Sequence, residues 1–360
     1  MDDIIKSNQV RVDGLINGTA QLKNFYKNPI FSADFQTKDL AINQQDFGKG
    51  NIRAIWNKTN QKITTVGRIS NSKGQVIDLK GDYYPYRKED ALDLTLDFKN
   101  LGLKFTQPFL VDFISDLDGI ASGKVIAKGK LSEPLLEGNL NLKETRAKVD
   151  YLNSTYYIKN ENFVIEPDWM GFNYITISDE RGKEANSVGT IFHENYSNFN
   201  FDIILFTENF QLLNTTSKQN SLYYGKAFGS GDINVSGFTD NLTMEINIAS
   251  EKGTELFIPL SGPNDVNSSG YISYVSSWDE TEEVESNKVN LKGIQMDFNL
   301  EVNDNAEVQL IFDETVGDIM KAKGDGNLQM KINTNGEFLM YGEYTVSEGD
   351  YLFTLENIIN

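Results

Sequence analysis

The chain has no cysteine, which removes disulfides, thiolate zinc sites and cysteine nucleophiles together. It has one histidine, His193, in the run Ile191-Phe192-His193-Glu194-Asn195. Neither a histidine metal cluster nor a Cys–His catalytic pair can then be assembled, and a lone surface imidazole is the expected role. Basic residues are in deficit: 33 Lys and Arg stand against 52 Asp and Glu, a formal charge of −19. A field of that sign opposes approach to polyanions, which argues against nucleic acid as a partner and against docking on anionic headgroups through a basic patch. No stretch reaches the ~20 apolar residues of a membrane helix. The start, Met1-Asp2-Asp3-Ile4-Ile5-Lys6, lacks the basic segment and apolar core of a secretory signal.

What is present is alternation. Leu92, Leu94, Leu96 and Phe98 alternate with Asp93, Thr95 and Asp97, and Leu242, Met244, Ile246 and Ile248 alternate with Thr243, Glu245 and Asn247. Ile294, Met296, Phe298, Leu300 and Val302 follow the same spacing, then Val308, Leu310 and Phe312, then Leu328, Met330 and Ile332. Period two puts side chains on one face of a pleated strand, so each run has one apolar and one wet face. Clusters such as Asn303-Asp304-Asn305 and Asn333-Thr334-Asn335-Gly336 suit the turns between them. Helical spacing is confined to Pro108–Leu117 and Glu314–Ala322. The expected fold class is all-β, an elongated curled sheet with an apolar concave face, a taco-like or open β-helix-like groove, and only one or two short helices.

Aligned glycines expose a repeat. Asp13-Gly14-Leu15-Ile16-Asn17-Gly18 with Pro29 matches Asp118-Gly119-Ile120-Ala121-Ser122-Gly123 with Pro134, at an offset of 105 throughout (118−13, 123−18, 134−29). A looser copy begins at Gly229-Ser230-Gly231 and keeps the six-residue step to Gly237 that Gly123 makes to Gly129, and a fourth begins at Gly324-Asp325-Gly326. The reading is one elongated β-repeat region over 1–360, with approximate repeats 10–105, 115–225, 226–322 and 323–360. Such units bury their apolar faces only against neighbours.

Sites of chemistry were weighed against this frame. The acidic run Asp279-Glu280-Thr281-Glu282-Glu283-Val284-Glu285 is one hydrophilic string, unlike the paired carboxylates of a glycosidase cleft. Gly225-Lys226-Ala227-Phe228-Gly229-Ser230-Gly231 lacks the spacing and Lys-Ser/Thr ending of a phosphate loop. Asp304, Asn305 and Asp325 fit no calcium loop. No catalytic residue, metal ligand or cofactor is called for, and the chain does not read as an enzyme. Two alternatives remain: a secreted β-helix or sandwich that binds or cleaves polysaccharide, with Trp169 or Trp278 beside acids, and a transmembrane β-barrel. Against the barrel stand the many charges, the mean hydropathy of −0.40 and the ending Ile358-Ile359-Asn360.

Several segments carry a family resemblance. They are Ile311-Phe312-Asp313-Glu314, Gly317-Asp318-Ile319-Met320, Gly324-Asp325-Gly326-Asn327-Leu328, Gly342-Glu343-Tyr344-Thr345-Val346 and Gly349-Asp350-Tyr351-Leu352-Phe353. They resemble the C-terminal domain of the TamB family, the inner-membrane-anchored subunits of the translocation and assembly module, within the AsmA-like bridge-type lipid transfer superfamily. The glycine skeleton of Gly119–Leu142 resembles the middle region of that family. The likeness is strongest over 290–355 and extends, more weakly, over 10–150.

The resemblance implies a periplasmic scaffold or conduit that shields phospholipid acyl chains between inner and outer membrane and assists outer-membrane protein assembly. Its implied partners are those acyl chains and a TamA-like outer-membrane barrel of the Omp85 type. Family members carry an N-terminal membrane helix that these residues lack and continue past Asn360, so the expectation is an internal piece of a longer protein, tethered to the inner membrane through a helix outside this chain. On this reading Leu242, Met244, Ile246, Ile248, Ile294, Met296, Phe298, Leu300, Val308, Leu310, Phe312, Leu328, Met330 and Ile332 line the groove. Tyr341, Tyr344, Tyr351 and Phe353 mark the partner-docking end.

Overall fold

The computed structural model describes residues 11–23, 30–110, 113–220, 222–259, 293–313, 318–333 and 338–352. Strand makes up 78% of the structure and helix 2%, so the fold is all-β. The strands are β1 (Val12–Lys23), β2 (Ile30–Ile42), β3 (Gln45–Asn57), β4 (Lys62–Ser70), β5 (Val76–Tyr83), β6 (Leu92–Gly102), β7 (Ile114–Gly129), β8 (Pro134–Val149), β9 (Ser154–Ile165), β10 (Trp169–Ser178), β11 (Glu184–Glu194), β12 (Ser197–Thr215), β13 (Tyr224–Phe238), β14 (Asn241–Ser250), β15 (Glu255–Pro259), β16 (Ile294–Val302), β17 (Glu307–Asp313), β18 (Asp318–Ile332) and β19 (Phe338–Leu352). All nineteen join one sheet.

From β1 to β13 each strand pairs antiparallel with the next. β13 then pairs with both β14 and β15, two halves of one row broken at residues 251–254. β14 lies parallel to β16 and β15 parallel to β17. β18 closes antiparallel on both, and β19 pairs with β18. Hairpin-by-hairpin grammar leads only to antiparallel neighbours. The parallel step exists because the chain leaves β15 at Pro259 and re-enters the sheet at Ile294 running in the direction of β14.

Two expectations for helices fail. The apolar spacing of Pro108–Leu117 predicts a helix, but the structure has a 3-10 helix at Leu103–Phe109, with Pro108 inside it, and strand from Ile114. Of Glu314–Ala322, residues 314–317 lie outside the described residues, and Asp318–Ala322 open the 15-residue strand β18. That strand has ladder partners on both sides and buries Ala322, Met330 and Ile332, which outweighs the propensity of a few helix-forming residues.

The curl comes from unequal strand lengths. β4–β5 and β10–β11 are short hairpins between longer neighbours, and the two turn in the same way 108 residues apart (179−71, 182−74). Asn71 Oδ1 accepts the N–H groups of Lys73 and Gln75 at 3.0 and 3.2 Å, and Asp179 Oδ1 accepts those of Arg181 and Lys183 at 2.8 and 2.9 Å. Gly74 and Gly182 follow at φ 78° and 77°. Beyond each short hairpin the flanking strands overhang and tie together. In the first unit, Asn43 Nδ2 donates to the Phe105 carbonyl at 2.8 Å, and Gln45 bonds both Phe105 N–H and the Gly102 carbonyl at 3.0 Å. In the second, Asn214 N–H donates to the Leu152 carbonyl at 2.9 Å and Asn153 Nδ2 to the Asn214 carbonyl.

A crease recurs at the same interval. Asn100 (φ 50°) donates its N–H to Ser122 Oγ at 2.9 Å, and Asn209 (φ 48°) donates to Ser230 Oγ at 2.9 Å. The serines are followed by Gly123 and Gly231 at φ 152° and 148°. A Cβ on Gly231 would stand 2.0 Å from the Asn247 carbonyl oxygen, so only glycine lets the strands approach there.

Candidate functional site

One face of the sheet is apolar and the other charged. Outward-facing residues pair across strands: Arg53 with Asp34 at 2.8 Å, Lys62 with Asp82 at 2.6 Å, Arg68 with Asp78 at 3.4 Å and Lys331 with Asp297 at 3.6 Å. The other face forms rows running strand to strand. One crosses the first half as Gly18, Phe35, Ile52, Gly67, Leu79, Leu96, Val125, Gly138 and Ile165. Another crosses the second half as Ile203, Val235, Met244, Met296, Ile332 and Phe338, beside a row of Leu205, Ile233, Ile246, Phe298, Met330 and Met340.

The register places the predicted groove residues on this face. Leu242 stands opposite Ile294, Met244 opposite Met296, Ile246 opposite Phe298 and Ile248 opposite Leu300. β18 adds Ile332, Met330 and Leu328 to the last three of these rows. Val308 and Leu310 lie opposite Leu256 and Ile258 and join the cluster that holds Met330. Phe312 is 39% exposed and meets the Tyr351 ring edge-on at 6.2 Å, while its neighbour Ile311 is buried. The ladder to β18 is irregular between Ile311 and Asp313, where Phe312 has no ladder partner among the described residues.

Sharing a face does not leave these side chains open. Met296 and Ile332 are 0% exposed and Met330 2%, and Val308, Ile246 and Ile248 are buried with them in three clusters; Leu242 is buried as well. All three clusters lie between Tyr151 and Tyr344. The β8–β9 turn roofs the cluster that holds Met296 and Ile332. Tyr151 Oη meets Tyr223 Oη at 2.5 Å and lies 2.9 Å from the Met296 sulfur. Leu152 joins the same cluster, and Tyr156 stacks on Phe210 at 5.3 Å with its hydroxyl donating to the Gln211 carbonyl at 3.1 Å. Burial holds the Tyr151 hydroxyl well above the ordinary tyrosine range and pushes Tyr223 up to about 12. An acyl chain has no access to Met296 or Ile332 in this arrangement.

The first half differs. Ile16, Leu22 and Phe35 are 68%, 53% and 38% exposed, and Ile52, Leu79, Leu96 and Phe98 are half-buried with no such cluster over them among the described residues. This open wall was not singled out as a site from sequence, because glycines at 50, 67 and 81 dilute its alternation.

At the docking end, β19 is exposed along most of its length. Tyr341 and Tyr351 are 55% and 51% exposed, whereas Tyr344 is half-buried with its hydroxyl directed at the Ala322 carbonyl at 3.4 Å. Phe353, Trp278 and the acidic run 279–285 lie outside the described residues. Trp169 is half-buried, opposite Phe192.

His193 is not a surface imidazole. It is 5% exposed between Tyr196, with ring centroids 4.7 Å apart, and Phe199, because the β11–β12 turn folds back on the start of β8 through Tyr196. Burial lowers its pKa, against the opposing pull of Asp168.

A family model, that of the TamB C-terminal domain, matches residues 173–357, which is 185 of 360 residues. The chain belongs to the TamB family. The match covers β11 to β19 and the closed half of the apolar face, and it reaches upstream of the 290–355 segment whose residues carry the plainest likeness. TamB proteins span the periplasm and serve lipid or protein transport in the envelope, a transport and assembly role rather than a known catalytic one. Neither a curated protein nor a solved structure matches the chain. Among the described residues no helix is long and apolar enough to cross a membrane, and no group of three His, Asp or Glu could hold a metal ion.

Proposed function

We propose that this chain is a TamB-type conduit whose open apolar wall, β2 to β8, shields phospholipid acyl chains on their way between inner and outer membrane. A single observation carries the reading: on the apolar face of the first half Ile52, Leu79, Leu96 and Phe98 line up strand to strand and are left half-exposed, with glycines between them and Val125 and Leu92 buried at the β6–β7 end of that face. A soluble sheet with such a face must stack, close or hold something apolar. Each methylene shielded contributes about 0.8 kcal/mol, so ten of them offset roughly 8 kcal/mol of the cost of leaving a bilayer. Strands about 4.8 Å apart give the seven from β2 to β8 a span of roughly 29 Å, longer than one acyl tail, which reaches about half of a ~30 Å hydrocarbon core.

The exposed edge of β19 supports docking on a TamA-like outer-membrane barrel by strand addition. Tethering to the inner membrane would fall to a helix outside these 360 residues. The test is a photo-reactive side chain at Leu79, on the wall, and at its neighbour Lys80, on the charged face. Phospholipid adducts at Leu79 and not at Lys80 are expected. Equal or absent labelling overturns the reading. Removing residues 341–352 should abolish co-purification with the barrel, and intact binding would exclude that dock.

A further inference from the structure

The two overhang ties sit at corresponding places and differ in their bonds and in what they carry: side-chain amides make the first, and a backbone bond and Asn153 make the second. In the first unit the turn between β2 and β3 is Asn43-Gln44, both polar, with Asn43 bonded to the Phe105 carbonyl and Gln45, which opens β3, to the Gly102 carbonyl. In the second, the turn between β8 and β9 presents Tyr151 and Leu152 instead; Tyr151 reaches across the concave face to Met296 of β16, and Leu152 packs against the cluster that holds Met296. Five strands separate β8–β9 from β16 along the ladder, so this contact spans the hollow of the curl and not a neighbouring strand. The base of the turn is anchored by Asp150 N–H to the Phe113 carbonyl, Ser115 Oγ to Asp150 and Asn153 N–H to the Asp150 carbonyl, while its tip is joined to the far strands by Asn214 N–H to the Leu152 carbonyl, Asn153 to the Asn214 carbonyl and the Tyr151–Tyr223 hydroxyl pair. β9 itself gives only Ile165, Val164 and Tyr157 to β10, so between Tyr157 and Val164 the two strands share no ladder pair.

We infer that the β8–β9 turn is a roof that ends the lipid-accessible stretch: acyl chains on the β2–β8 wall leave the concave face at this turn, and they reach the rows of Met244 and Met296 only when Tyr151 and Leu152 lift. The inference rests on the conduit reading and adds to it where the conduit stops. A hairpin tip whose second strand shares no ladder pair with β10 between Tyr157 and Val164 is an element suited to local opening without loss of the fold.

The experiment places a photo-reactive residue before the roof, at Leu79, and beyond it, at Leu300, in the full chain mixed with phosphatidylethanolamine–phosphatidylglycerol vesicles. In the parent chain labelling at Leu79 should exceed that at Leu300 at least tenfold. Combining Tyr151→Ala with Leu152→Ser should raise Leu300 labelling severalfold while Leu79 labelling stays. The milder Tyr151→Phe, which removes only the hydroxyl contacts to Tyr223 and Met296, should give a smaller rise with an unchanged fold. Equal labelling of the two sites in the parent chain overturns the roof and leaves the conduit standing. No labelling at Leu79 overturns the conduit and the roof together. Background labelling at Leu300 in Tyr151→Phe and in a double variant with parental circular dichroism and protease resistance shows that the core, and not the turn, excludes lipid.

Discussion

The division between a closed and an open half of one apolar face predicts that the same substitution has opposite consequences on the two sides. Met296→Ala removes a side chain with no exposure from a cluster that also holds Ile332, Leu213 and Tyr223. Truncations of this kind cost about 2–5 kcal/mol, the transfer term plus the cavity left behind. Leu79→Ala removes a half-buried side chain with nothing roofing it, and roughly half of the 1.5–3 kcal/mol of a full leucine burial gives a loss of about 1 kcal/mol. Repeat arrays do not unfold as one unit, so a single melting temperature would blur the two. Hydrogen exchange resolved by strand separates them: amides of β14, β16 and β18 should lose protection by more than about 25-fold in Met296→Ala, while those of β4 to β6 lose about fivefold in Leu79→Ala. The aspartates sharpen the contrast. Met296→Asp buries a carboxylate without a partner and should unfold the second half, whereas Leu79→Asp should fold and lose lipid labelling. The reasoning is refuted if Met296→Ala costs no more than Leu79→Ala.

His193 sets a pH dependence. Its folded pKa lies below the ordinary 6.5, so the unfolded chain binds the extra proton; the stability it lends is present above about 6.5 and is lost as pH falls from there toward the folded value. Urea midpoints should therefore drop between pH 7.5 and 5, and His193→Gln should flatten that drop. Asp179, whose carboxylate is fully buried and takes three backbone N–H groups and Arg181, should tolerate Asn better than Ala by about 1–3 kcal/mol, since Asn71 already fills the corresponding place as a neutral amide; chemical denaturation of both variants checks it. Gly182→Ala meets no neighbouring atom and should cost about 1 kcal/mol for its left-handed backbone alone, while Gly231→Ala, whose new Cβ collides with the Asn247 carbonyl, should cost clearly more. A Gly231→Ala variant as stable as Gly182→Ala would show the crease to be slack.

Period two marked the strands β6, β14, β16, β17 and β18 and put Leu242, Met296, Phe298 and Met330 on one surface, because a side chain's face follows from parity alone. Parity does not encode how far a strand outruns its neighbours. The overhang of β12 past the Asp179 turn, and with it the meeting of Tyr151 with Tyr223, 72 residues apart, depends on lengths set by turns. The burial of His193 was hidden for the same reason: its environment is assembled from the distant Pro134 and Leu136 backbone through Tyr196. At Pro108–Leu117 local apolar spacing spoke for a helix, and the neighbouring strands decided otherwise: β8 offers β7 a ladder from Ile114 and β6 a second from Ile120. Glycines at 50, 67 and 81 concealed the open wall because a glycine leaves a blank in any hydrophobic pattern, even where it sits on the apolar side.

The short hairpins β4–β5 and β10–β11 recur after six strands, an even number. Every such module therefore hands the chain back on the rim where it began, with the same turns on the same bank of the trough. Reach can thus be adjusted by whole modules of roughly 29 Å without inverting which rim bears the ties. The parallel step from β14 to β16 breaks this parity once, and strands after it present their turns on the opposite bank from the one that simple continuation would give.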